Sequence, residues 1–175
     1  DEIERVEEEI RRLLEEHKKR SDEVVRRLEK LLKDHKEVTR KVVEESERIN
    51  RDVERRLVRD ERILKDLKDK SKELNDELRK LSEDVERMIK RLIEELRKLS
   101  KDVEDTIREL EKALKAGKDV KEVLERIRKL VKDVNKRLEE ILEEVERLVR
   151  RANRRIEELL ERNRRLVEEV ARRDE

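Results

Sequence analysis

The sequence predicts an all-α fold, an elongated and nearly straight antiparallel three-helix bundle formed as a single domain over residues 1–175. Three observations predict it. The composition is 59% charged and 33% hydrophobic, with no aromatic residue, no proline, no cysteine and one glycine, where ordinary domains carry roughly 25% charge and 45–50% apolar residues. Apolar or uncharged polar residues then recur three or four positions apart, which marks one face of an α-helix. Finally, short blocks of sequence return at a fixed displacement of 18 residues.

High charge with low hydrophobicity is also the composition of disordered chains, and the rhythm decides between the two. On the first segment it runs through positions 3, 6, 10, 13, 17, 21, 24, 28, 31, 35, 39, 42, 46, 49, 53 and 57. On the second it runs through Leu64, Leu67, Ser71, Leu74, Leu78, Leu81, Val85, Met88, Leu92, Leu96, Leu99, Val103, Thr106 and Leu110, and a third run extends from Val120 to Val170. A strand-like alternation is absent, so helices are expected at about 2–58, 61–116 and 119–174. Eighteen residues are five turns at 3.6 residues per turn, whereas a seven-residue repeat would impose a left-handed supercoil. Helices phased on 18 therefore run nearly straight.

The turns are set by local chemistry. In Lys115–Ala116–Gly117–Lys118–Asp119, Gly117 suits the left-handed residue after a helix, and Asp119 with Glu122 reads as an N-cap and its capping box. The other turn lacks glycine, and Val58–Arg59–Asp60–Glu61 is the candidate, with Asp60 as N-cap.

The repeats locate these turns independently. Leu13–Leu14 with His17, Ser21 and Val24–Val25 returns as Leu31–Leu32 with His35, Thr39 and Val42–Val43; Glu77–Ser82 returns as Glu95–Ser100; Leu130–Val131 with Asn135 returns as Leu148–Val149 with Asn153. In an antiparallel pair, residues at one height have a constant sum of numbers. His17 with Ser100 and His35 with Ser82 both sum to 117, which centres the first turn near 58.5. Ser100 with Asn135 and Ser82 with Asn153 both sum to 235, which centres the second beside Gly117. Ser46 with Ser71 also sums to 117, and Asn163 lies within one residue of the height expected for their partner on the third helix. Three polar layers result: His17, Ser100, Asn135; His35, Ser82, Asn153; and Ser46, Ser71, Asn163, with Asn50 and Asn75 beside the last. Ser21 and Thr39 lie one turn after each histidine, placed to bond the ring or the carbonyl four residues earlier.

Such layers can satisfy themselves. A neutral imidazole offers one donor and one acceptor, an amide offers donors and an acceptor, and a hydroxyl does both. Left unsatisfied, each buried group costs ~1–3 kcal/mol. A satisfied layer fixes register, because sliding one helix would strand its members. Desolvation is expected to hold the pKa of both buried histidines below about 6.5, which would make stability fall in acid.

The dominance of Glu, Lys, Arg, Leu and Val, the KAGKD loop at 115–119, the repeated LLxxHKxx(S/T)xxVV and ELRKLSxDVE units and the 18-residue phasing resemble computationally designed helical bundles with modular buried hydrogen-bond networks. The resemblance covers the whole chain. It implies a scaffold or self-assembly module without enzymatic activity, and, for His17 and His35, the pH response of bundles that carry histidine in their networks.

Other functions find little support in the residues. With 52 Lys and Arg against 51 Asp and Glu, the net charge of +1 provides no global field for a polyanion. The stretch 147–165 holds eight Arg against three Glu, a weaker alternative for polyanion binding; without aromatics a solvated face is expected and nucleic acid is not. No apolar run approaches the ~18 residues of a membrane span, and the first residues lack a signal-peptide layout. A soluble chain with no address is expected. No layer offers more than one imidazole, too few for zinc, and the two histidines lie ~27 Å apart along one helix. No metal, cofactor or small-molecule substrate is expected. Ser, His and Asn together can be read as a nucleophile with its base, but the sequence suggests neither a pocket nor an oxyanion donor. A two-per-seven stripe alone needs ~29% apolar residues, so the 33% present favours a monomer. Doubled positions such as Leu13–Leu14, Ile141–Leu142 and Leu159–Leu160 widen the stripe. They leave a homo-oligomer or a designed helical partner as the alternative.

Overall fold

The computed structural model describes residues 2–56 and 60–173, which form an all-α three-helix bundle of α1 (Glu2–Arg56), α2 (Glu61–Lys115) and α3 (Val120–Arg173). The expected helices agree to within two residues wherever the chain is described. The proposed turn at Val58–Arg59, with the last residues of the expected first and third helices, lies outside the described residues.

Each helix start that the sequence marks with Asp is capped. Asp60 Oδ1 accepts the Arg62 and Ile63 amides at 3.1 and 3.5 Å, the N2 and N3 donors of α2. Asp119 Oδ1 accepts the Lys121 amide at 3.3 Å, the N2 donor of α3 rather than the N3 donor of a capping box. Between α2 and α3, Gly117 has φ of 98°. There the Lys118 amide reaches the Ala113 carbonyl at 3.1 Å and the Gly117 amide reaches Leu114 at 3.2 Å. These are the two bonds of a Schellman motif, whose left-handed residue is glycine because a Cβ is disfavoured there.

The chain divides into two compact units, one of residues 1–30 and 89–145, the other of residues 31–88 and 146–175, each holding a segment of every helix. In the first unit, Lys18 on α1 pairs with Glu104 on α2 at 3.1 Å while Glu29 pairs with Arg97 at 3.3 Å, so α1 and α2 run in opposite directions. Glu9 pairs with Arg128 and Arg20 with Glu139, so α1 and α3 run in the same direction. Its buried side chains include Ile10, Leu28, Ile89, Ile107, Ile127 and Leu138. In the second unit Lys36–Glu86 and Glu47–Arg79 repeat the antiparallel relation, and Val42, Leu78, Ile156, Leu159 and Leu160 form one apolar cluster. Val53, Leu67, Val167 and Val170 form another. Burying each such side chain contributes ~1.5–3 kcal/mol, and these apolar contacts hold the helices together.

Burial keeps the 18-residue phase. Val6, Val24 and Val42 are buried on α1; Leu67, Val85 and Val103 on α2; Val123, Ile141 and Leu159 on α3. The expected stripe is corrected at several positions. Ile3 and Met88 are 43% exposed, and Thr106 is exposed. On α2 the buried residues are Ile89, Ile93 and Ile107, next in sequence to Met88, Leu92 and Thr106. Adjacent side chains on a helix point ~100° apart, so one of each pair meets the core and the other is turned outward. Among the doubled positions, Ile141–Leu142 and Leu159–Leu160 are buried at both residues, whereas Leu13–Leu14 is half-buried.

Candidate functional site: the buried polar layers

All three expected layers are hydrogen-bonded. In the first unit His17 has no exposed surface, its Nε2 lies 3.1 Å from Ser100 Oγ and its Nδ1 lies 3.5 Å from Asn135 Oδ1. An amide oxygen can only accept, so Nδ1 carries hydrogen and a neutral ring accepts at Nε2 from the Ser100 hydroxyl. Ser21 is buried near this layer and lines a surface groove of about 440 Å³ with Ser100, Asp22, Val25, Arg26, Arg97, Lys101 and Glu104. Burial pulls the His17 pKa below 6.5, against the upward pull of the Asn135 bond and the Glu104 charge.

The second unit holds the other two layers. His35, also without exposed surface, places Nδ1 2.9 Å from Asn153 Oδ1 and Nε2 3.2 Å from Ser82 Oγ. Thr39 Oγ1 donates to the His35 carbonyl at 3.0 Å, one of the two bonds expected of it, and its oxygen lies 3.1 Å from Ser82 Oγ. The third layer closes on itself. Asn163 Nδ2 donates to Asn50 Oδ1 at 3.1 Å, Asn50 Nδ2 donates to Ser71 Oγ, and Ser71 donates to Asn163 Oδ1 at 2.8 Å. Asn163 also donates to Ser46 Oγ at 2.9 Å, and Ser46 donates to Asn75 Oδ1 at 3.0 Å. Among the described residues no buried side-chain nitrogen or oxygen lacks a partner, which avoids the ~1–3 kcal/mol penalty of an orphaned group.

The sequence pattern did not reveal the ion pairs between helices. Lys18–Glu104 at 3.1 Å returns 18 residues on as Lys36–Glu86 at 2.9 Å; Glu29–Arg97 at 3.3 Å returns as Glu47–Arg79 at 3.4 Å; Glu95–Arg137 at 3.4 Å returns as Glu77–Arg155 at 2.7 Å. Applying the constant-sum rule to charged positions beside the stripe would have found them. They lie at the surface, exposed or half-buried, and each contributes ~0–1 kcal/mol. Ion pairs between helices and within α3 also neutralise the Arg-rich face. Arg155 engages Glu77 and Glu158, Arg164 engages Glu45 and Glu161, Arg165 reaches Glu161 and Arg150 reaches Glu146. Hydrogen bonding to Glu77, then Glu158, raises the Arg155 pKa, and bonding to Glu45 raises that of Arg164.

Comparison with family models, curated proteins and solved structures returns no match. Among the described residues, no three or more His, Cys, Asp or Glu side chains are placed to hold a metal ion, and no helix is long and apolar enough to cross a membrane.

Proposed function

We propose that this chain is a structural module, a helical scaffold of the computationally designed kind, whose buried polar layers set the register of its helices. The observation that carries the reading is the distribution of bonds. In each layer the hydrogen bonds join all three helices, so a helix that slips within its unit loses partners for groups already removed from water. The 18-residue repeats and the Glu-, Lys- and Arg-rich faces support the designed character. Acid sensitivity is part of the proposal and rests on His17, which lies beside the Lys18–Glu104 ion pair with its pKa lowered by burial. The monomer is the favoured state, and assembly with a second copy or a helical partner is the alternative.

Register-setting differs from stabilisation in what mutation does. Replacing His35, Ser82 and Asn153 together by apolar residues of similar size is expected to leave stability equal or higher, because a satisfied network contributes little net against good packing. Light scattering and amide exchange should then reveal altered association or helix alignment. A triple variant that is much less stable and keeps one alignment would refute the proposal.

A further inference from the structure

The first layer has a property its function as a register mark does not use. Ser100 Oγ, the His17 ring and Asn135 Oδ1 follow one another in a hydrogen-bonded chain, with separations of 3.1 Å at Nε2 and 3.5 Å at Nδ1. Asn135 holds hydrogen on Nδ1, which leaves the Nε2 lone pair facing the hydroxyl. That is the arrangement in which an imidazole removes a proton from an attacking serine while a third group fixes its tautomer. Long hydrogen bonds are common in such sites before a reactant is bound.

Access separates this serine from its counterpart. Ser100 is half-buried and forms part of the wall of the 440 Å³ groove, while Ser82 is 9% exposed and shared with Thr39 at 3.1 Å. The groove also presents Arg26, Arg97 and Lys101, cations beside which negative charge could develop on an attacked centre. Its carboxylates are Asp22 and Glu104, and Glu104 is held by Lys18 at 3.1 Å.

We propose that Ser100 is a latent nucleophile toward small activated phosphonyl and acyl compounds, with His17 as its general base. With an alkyl fluorophosphonate, the Oγ–P bond forms as the P–F bond breaks. The hydroxyl proton passes to His17 Nε2, fluoride leaves, and the imidazolium returns its proton to water. Nothing is oxidised or reduced. The burial that lowers the His17 pKa keeps the ring neutral, hence competent as a base, at pH 7.

The test incubates the intact chain with a small alkyl fluorophosphonate and monitors adduct formation by intact mass and peptide mapping. Ser100 is expected to label at least ~10²-fold faster than Ser82, Ser46 or Ser71, the low end of what a positioned base contributes. Ser100→Ala should remove the fast adduct, His17→Gln should slow it to the rate of the other serines, and His35→Gln should leave it unchanged. Equal labelling of Ser100 and Ser82 in the unaltered chain would overturn the proposal without reliance on any variant. An undiminished rate in a folded His17→Gln chain would overturn it too.

Discussion

The two histidine layers are built on one template and differ in the residues that succeed the ring. His17 precedes Lys18–Lys19–Arg20–Ser21, and His35 precedes Lys36–Glu37–Val38–Thr39. Val38 packs against the apolar cluster around Leu78 and Ile156, and Thr39 donates to the His35 carbonyl with its oxygen against Ser82. In the corresponding places Arg20 reaches outward to Glu139 and Ser21 lines the groove. The amide bond to the ring is 2.9 Å at His35 and 3.5 Å at His17. The spacing of marker residues is thus enough to assemble a layer, while the side chains three and four positions on decide how tightly it closes and whether solvent reaches its hydroxyl.

The largest expected difference comes from removing the amides. Asn153→Leu leaves His35 Nδ1 without its acceptor in the closed layer and should cost ~2–3 kcal/mol. Asn135→Leu removes a longer bond, 3.5 Å, in the layer whose Ser100 lines the surface groove, and should cost about 1 kcal/mol. Urea unfolding of both variants measures the gap, and equal losses would mean that bond length and solvent access do not distinguish the layers.

Acid gives the next largest effect. The folded His17 pKa is lowered, so the unfolded chain takes up the proton first. The His17 contribution is therefore intact above about pH 6.5 and is lost as pH falls below it, at up to ~1.36 kcal/mol per pH unit until the folded pKa is passed. Carboxylates titrate nearby, so the informative quantity is the difference between the chain and its His17→Gln variant, unfolded in urea at pH 7.5 and 5. Parallel losses would remove acid sensitivity from the proposed function.

Exchanging the hydroxyl residue one turn after each ring isolates one of the differences between the two layers. Thr39→Ser deletes a methyl and should cost ~0.8 kcal/mol. Ser21→Thr should recover a smaller amount, because the groove shares the space it would fill. Thermal melts of the two single variants and the double exchange would show this, and a stabilising Thr39→Ser would contradict it. Outside both layers, Met88→Lys should change stability by less than ~0.5 kcal/mol, since the side chain is 43% exposed. A larger loss would show that Met88 has a packed environment.

Much of this arrangement is legible in the residues alone. Uncharged polar residues on an apolar stripe are rare enough to act as position markers, and two constant sums placed eight of them in three layers, with Asn163 one residue from the sum that would complete the third. The choice between Met88 and Ile89, or Thr106 and Ile107, is harder because both positions continue a three-or-four rhythm. The phase carries the answer, since Ile89 and Ile107 lie 18 and 36 residues beyond buried Ser71. The groove beside Ser100 has no such signal. It depends on the volumes of Ser21 and its neighbours once three helices have met, and periodicity carries no volume.

A repeat of five whole turns also makes helix length a quantised variable. Adding or removing 18 residues moves the next segment ~27 Å along its axis and returns every side chain to its former bearing. Deleting residues 18–35, 82–99 and 136–153 joins His17 to Lys36, Leu81 to Ser100 and Asn135 to Arg154, each junction in phase. The 54 residues lost from 175 leave a chain of 121. This shortened chain is expected to fold with the His17 and Asn163 layers intact, whereas removing 16 residues from each helix would turn the downstream faces by ~160° away from their partners. Circular dichroism melts of the two deletions would distinguish a protein that counts in turns from one that merely tolerates trimming.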